Sequence, residues 1–188
     1  MSLLDAREAR PLDGGPSFSL GNRVFRAVWM AAWFILARFT PPPLHGWRRL
    51  VLRSFGAEIA PGARVHASVH IWHPGNLAVG RNALIGPGAR IYNQGHVAIG
   101  DHTVISQRAH LCASSHDPDD SHFQLVLRPI TISSRCWVAA EAFVGPGVTM
   151  SEGAILGARA ALFENAEPDG IYRGNPATLV RKRNMPQP

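Results

Sequence analysis

Lysine is almost missing from this 188-residue chain: Lys182 is the only one, so the formal net charge of +6 is carried by arginine. Such a balance favours anionic partners over cationic ones without choosing among nucleic acid, phosphorylated cofactor and anionic membrane. No basic and aromatic stripe or recognition motif points to nucleic acid. Cysteine is scarce too. Cys112 and Cys136 form neither a metal-type CxxC pair nor a disulfide framework, which fits a reducing cytoplasm and leaves them as small apolar filler. A membrane-spanning run is lacking as well: the most apolar stretch, Ala27 to Ala37, has eleven residues where about twenty are needed. The polar start, with Asp5, Glu8 and Asp13, differs from the basic and then apolar opening of a secretory leader, so a cytoplasmic location is expected.

What the chain does have is a period of six. One aliphatic residue recurs at Ile59, Val65 and Ile71, at Val79, Ile85 and Ile91, at Ile99, Ile105 and Leu111, and then from Ile132 through Val138, Val144, Met150 and Leu156 to Leu162. Four residues after most of these comes a small side chain, such as Ala63, Ala83, Thr103, Cys136 or Ala154. A helix would scatter these positions around its circumference, and an antiparallel meander would space its turns farther apart. A solenoid of short strands and corners remains, eighteen residues to a three-faced coil and about five coils in all. Glycine or another small residue one place after the aliphatic, as at Gly80, Gly86 and Gly100, is expected to give the corners their backbone freedom.

The open end of a solenoid exposes core and sheet edges and needs a cap. Residues 22–39 and 44–55, separated by Pro41, Pro42 and Pro43, read as two helices placed to supply it. The expected division is a flexible N-terminus (1–21), a helical cap (22–57), a β-helix (58–167) with an inserted loop (114–129), and a tail (168–188) that leaves the ladder at Pro168. Segment 22–39, with Trp29 and Trp33 between arginines, has two readings: a helix packed on its own protein, or one in peripheral contact with a membrane interface.

The hexad pattern over residues 59–167 resembles that of the hexapeptide-repeat acyltransferases. Arg128-Pro-Ile-Thr-Ile132 leading into Cys136-Trp-Val138, then Val144-Gly-Pro-Gly-Val-Thr149 and Gly174-Asn-Pro-Ala177, are similar to segments of the galactoside, maltose and xenobiotic acetyltransferase branch. The first third, with Trp47-Arg-Arg-Leu-Val-Leu-Arg-Ser-Phe-Gly-Ala57, looks like the members that act in colanic acid and exopolysaccharide biosynthesis. The resemblance implies a left-handed helix of parallel strands, a homotrimer, and direct acyl transfer from acetyl-CoA without metal or acyl-enzyme.

It also assigns roles. His116, in Ser114-Ser-His-Asp-Pro118 at the mouth of the loop, occupies the place of the general base, a task that imidazole suits near neutral pH. Trp137 would border the acetyl-CoA channel, or pack between subunits, or both. An oxyanion donor is expected among the backbone N–H groups near Ala139, Ala140 or Ala142. Arg173, Asn175, Pro176, Arg181 and Lys182 lie where relatives hold the adenosine end, though the last basic run equally suits solubility. Phe163-Glu164 stands where relatives often carry Thr-Lys, and Arg159 is expected to compensate. For the acceptor, Tyr92 and Asn93 occupy a two-residue insertion, where Asn93 either bonds sugar hydroxyls or favours the turn. Asp117 could orient His116 or contact substrate, or simply be solvated, and a backbone carbonyl could orient the ring instead. The acceptor is expected to be a glycan intermediate, with a small-molecule hydroxyl as the alternative. A zinc site on His110, His116 and His122, spaced six apart, and a non-catalytic scaffold compete with this reading.

Overall fold

The computed structural model describes residues 3–184; residues 1–2 and 185–188, the extremities of the first and last expected segments, lie outside it. Parallel strands stack into three sheets. The first holds Glu58–Ile59, Leu77–Val79, Val97–Ile99, Ile130–Ile132 and Thr149–Met150; the third holds His70–Ile71, Arg90–Tyr92, His110–Cys112, Phe143–Val144 and Ala161–Leu162. The second runs from Arg64–Val65 through Leu84–Ile85, Val104–Ile105, Trp137–Val138 and Ile155–Leu156 to Gly170–Gly174, with antiparallel Ala177–Lys182 on its edge. This is the left-handed parallel β-helix of the expected kind.

Register follows from the ladder. Ile59 pairs with Val79, Val79 with Ile99, Ile99 with Ile132 and Ile132 with Met150, so like side chains stack coil on coil. All fifteen aliphatic positions are buried, and so are the small residues four places on, from Ala63 to Ala166. The tail does not leave the ladder where expected. Ala166 bridges to Met150, and Ile171 and Tyr172 pair with Ile155 and Leu156, with Tyr172 buried, so a sixth, partial turn closes the stack.

Corner chemistry also differs from the expectation. The left-handed backbone falls three residues after the aliphatic, at Asn82, His102 and Arg135 (φ of 54°, 56° and 59°), and not at the glycines one place after it. Those glycines answer a different demand. A Cβ on Gly80 would lie 2.6 Å from the Asp101 nitrogen, and one on Gly100 would lie 2.5 Å from that of Ser134. Glycine is required there because successive coils touch.

Ahead of the coils lie α1 (Ala6–Ala9), α2 (Leu20–Leu36) and α3 (His45–Ser54). The interior of α2 is rich in alanine and free of proline, and the proline run after it ends the path before α3 begins. Both helices lie on the first coil, whose outer carbonyls have no coil beyond them to bond. Trp29 donates to Ile71 O (2.8 Å), Trp33 to Ala67 O (3.2 Å), Arg48 to Val65 O (2.6 Å), Arg49 to Ala63 O (2.9 Å) and Arg53 to Ile59 O (2.8 Å). Indole and guanidinium suit this role because they are donors that accept nothing.

The segment before α2, expected to be flexible, packs on the solenoid. Phe18 is buried against Trp72 (ring centroids 4.8 Å apart) and Leu3 bridges to Phe18. A short polar stretch rich in glycine and proline carries no periodic signal of such docking.

Candidate active site

The excursion between the third and fourth coils forms a hairpin, Ser114–His116 pairing antiparallel with Leu125–Leu127, so that His116 lies opposite Leu125. It is anchored by Leu125, which is buried, and by Arg128 N–H donating to Ala113 O (3.0 Å). At its tip Asp117 accepts from Asp119 N–H (3.0 Å) and Asp120 from His122 N–H (2.9 Å), turns in which the side chain stands in for backbone. Asp117 is thus occupied in shaping the loop and does not orient His116.

Phe123 does. Its φ of 56° turns its carbonyl toward the imidazole, 2.8 Å from Nδ1, and its ring stacks on the imidazole (4.2 Å between centroids, 7° between planes). A carbonyl can only accept, so Nδ1 carries a proton, and in the neutral ring the lone pair lies on Nε2. Neighbouring Gln124 accepts from Ala6 N–H (2.7 Å) and donates to Leu4 O (3.3 Å), which ties the N-terminal segment to the loop. Neither Phe123 nor Gln124 was marked in the sequence. The one acts through a main-chain oxygen, and the partners of the other lie 118 and 120 residues away.

A groove of about 690 Å³ runs along the outside of the second sheet. Its wall is Trp137, Ile155 and Ile171, stacked in register, and Ala139, Ala140, Gly157 and Ala158 form the small-residue corner beside it. Trp137 is half-exposed and held by its indole N–H donating to Ser106 Oγ (2.9 Å). Arg173 and Arg181 stand at the groove. Five of the expected cofactor residues, Trp137, Ala139, Ala140, Arg173 and Arg181, therefore share one surface.

The others do not. Arg159 bonds Glu141 (2.7 Å) in a corner ladder that continues to Arg108 (3.6 Å), and the paired guanidinium of Arg159 holds the Glu141 carboxyl below its usual range. Lys182 faces Glu167 (3.8 Å), and Asn175 and Pro176 form the exposed turn before the last strand. Of the candidate oxyanion donors, Ala139 N–H is committed to Leu156 O (2.9 Å) and Ala142 N–H to Ala139 O (3.2 Å).

On the acceptor side, the sugar-binding expectation for Asn93 is corrected. The residue is fully buried, its Oδ1 accepts from the Trp72 and His73 N–H groups (3.1 Å each), and its Nδ2 donates to His73 O (2.6 Å). It clamps two coils and presents nothing to a ligand. Tyr92 is partly exposed on the third sheet, where Trp72, Tyr92, His110, Phe143 and Phe163 follow one another ring to ring. Its hydroxyl receives Gln94 Nε2–H (3.0 Å), and burial raises its pKa. His110 belongs to that aromatic row, His116 to Phe123, and His122 to Asp120 (3.4 Å), so the three histidines do not converge as zinc ligands would.

His116 and the groove stand on different edges of the prism. The hairpin leaves the corner between the third and first sheets, while the groove follows the second sheet and its corner with the third.

Both the sequence and the fold have known relatives. Over 166 residues, 88% of the chain, it is 38% identical to a protein of Escherichia coli strain K12 named as a colanic acid biosynthesis acetyltransferase, of which the match spans 91%. A solved galactoside acetyltransferase in complex with coenzyme A superposes with a TM-score of 0.81 at 21% identity, over 96% of this chain and 92% of that one. A hexapeptide-repeat acetyltransferase of Vibrio cholerae O1 biovar eltor, complexed with acetyl coenzyme A, gives 0.80 at 18% identity over 97% and 100%. No protein-family profile matches the sequence.

Proposed function

The chain belongs to the hexapeptide-repeat acetyltransferases, and from that membership we propose that it moves an acetyl group from acetyl-CoA to a hydroxyl of a sugar in an exopolysaccharide or glycan intermediate, with His116 as general base. The observation that carries the assignment of the base is the bond from His116 Nδ1–H to Phe123 O, which leaves Nε2 free to take the hydroxyl proton. Acetyl-CoA supplies the activated acyl thioester. The groove suits such a molecule: Trp137, Ile155 and the alanine corner match an apolar pantetheine arm, and Arg173 and Arg181 match phosphates. Ala140 N–H is then the donor for the oxyanion that develops on the acyl carbonyl. In this scheme residues 22–57 cap the enzyme, 58–167 form the transferase coil, and the described part of the tail, 168–184, flanks the cofactor.

The working enzyme is a homotrimer. Base and groove lie on different edges of one prism, so a complete site forms where the hairpin of one subunit meets the groove of the next. On the middle strands of the first sheet the outward side chains, Ala78, Ala98 and Thr131, are small enough for a neighbour to approach closely.

Thiol release from acetyl-CoA, measured against a panel of sugars and lipid-linked glycan repeats, tests the reading. Release that depends on a glycan and falls about 10²–10⁴-fold in His116→Ala is expected. Full activity of that variant would remove His116 as the base, and turnover with free sugars or antibiotics alone would favour a small-molecule acceptor.

A further inference from the structure

Residues 14–57 contain six arginines and not one aspartate or glutamate; Arg48, Arg49 and Arg53 are turned onto the first coil and Arg26 lies over the Trp72 ring (4.1 Å), which leaves Arg23 and Arg38 to the outside. Within this stretch α2 turns Trp29 and Trp33 onto the first coil, and its other side is left bare. Val24, Val28 and Phe34 are more than half exposed, Ile35 is 73% exposed and Phe39, just past the helix, 74%. Trp47 of α3 continues the surface, half-exposed, with its indole N–H donating to Leu36 O (2.7 Å). Exposed Arg23 and Arg38 stand toward the two ends of this apolar face.

We infer that this cap docks the enzyme on the surface of an anionic bilayer, with the outer side of α2 lying in the boundary between headgroups and acyl chains. Among the described residues no helix is long and apolar enough to cross a membrane, so the geometry is one of lying in the interface. The charge selects this occupant. Arginines whose stems run along apolar surface reach lipid phosphates, and an exposed indole settles at the same depth. A second copy of the same face would bring arginine against arginine with no carboxylate in the segment to answer them. Direction fits as well. Because α2 and α3 bond the outer carbonyls of the first coil, the bare side points away from the stack along its axis. Three copies about an axis parallel to the stack, a clause that rests on the proposed trimer, would then present three such faces in one plane. The hairpin that carries His116, two coils further on, would stand about 10 Å farther from the bilayer than the first coil, within reach of a glycan still attached to its lipid.

The test is flotation of the purified full-length protein with vesicles of phosphatidylcholine alone and of phosphatidylcholine mixed with phosphatidylglycerol. Binding to the mixed vesicles should exceed that to the neutral ones by about tenfold or more and weaken with salt. V28E/I35E, which alters only solvent-facing positions, should lose at least about tenfold of it while keeping its thermal midpoint and its turnover of a soluble acceptor. R23Q/R38Q should lose the preference for anionic lipid. Wild-type protein that floats with neither vesicle overturns the inference. So does lipid-free association of whole trimers that light scattering detects and V28E/I35E abolishes, since the face would then join copies. Flotation without acetyl-CoA turnover would leave the docking intact and defeat only the proposed activity.

Discussion

Replacing Asn93 by alanine would strand the His73 N–H, while Trp72 N–H keeps Ile91 O (3.0 Å) and His73 O keeps Asn76 N–H (3.1 Å), at a cost of about 1–3 kcal/mol. The expected outcome is a lower denaturation midpoint with the acceptor KM of the surviving enzyme unchanged; a raised KM at unchanged stability would return Asn93 to the substrate. A second residue-level effect concerns pH. His45, His66, His73 and His110 all have their pKa lowered, in each case chiefly by burial. The unfolded chain takes up protons near pH 6.5 that these folded histidines refuse, so stability is full above that pH and declines as pH falls below it. A thermal midpoint that drops between about pH 7.5 and about pH 5.5, and drops less in H73Q/H110Q, is expected; equal drops would trace the acid loss to other groups. At this scale the sequence was informative only where a residue type dictates chemistry. His116 was singled out as the candidate base by the family resemblance, whereas the Phe123 oxygen that sets its tautomer is main chain and has no letter of its own.

Among the elements, the cap depends most on single side chains. Arg48 is fully buried and donates to Val65 O, Pro42 O (2.6 Å), Pro41 O (3.1 Å) and Thr40 Oγ1 (2.8 Å), with His45 Nδ1 beside it at 2.9 Å; burial lowers its pKa. Arg48→Leu is expected to cost about 3–5 kcal/mol, and Arg48→Lys to recover little, because three donors on one nitrogen cannot reach four oxygens spread around a planar fork. Chemical denaturation of both variants checks this, and near-wild-type stability of the lysine variant would show that charge alone suffices. The strands were legible in advance because their rule is local and repeated: a buried aliphatic every sixth residue leaves few alternatives. The two helices were legible to within a few residues from their proline boundary. The segment before them was not, since Phe18 is only one aromatic among polar residues until Trp72 comes into view. The coil glycines were located correctly and explained wrongly, because the constraint on Gly80 comes from Asp101 on the next coil, twenty-one residues away.

At the scale of the whole molecule, the proposed division of the site between subunits implies that activity can be reassembled from damaged parts. Mixing unfolded H116A with unfolded W137A/R173E and refolding them together should restore about a quarter of wild-type activity, since random trimers bring intact hairpins to intact grooves at that frequency. Two separately inactive proteins that stay inactive when mixed would place the site within one chain. Spacing alone does not suggest this proposed arrangement, since it orders residues along a coil but says nothing of which edges two prisms would share. One feature of the cap reaches further still. The first coil offers a row of carbonyls that Trp29, Trp33, Arg48, Arg49 and Arg53 cover, and the last turn is covered by the antiparallel strand Ala177–Lys182. Stripped of both, the ends of two molecules would match as well as one coil matches the next, and stacking would have no natural stop. The helices that begin this chain thereby make a discrete enzyme out of a repeat that would otherwise grow, head on tail, into a fibre.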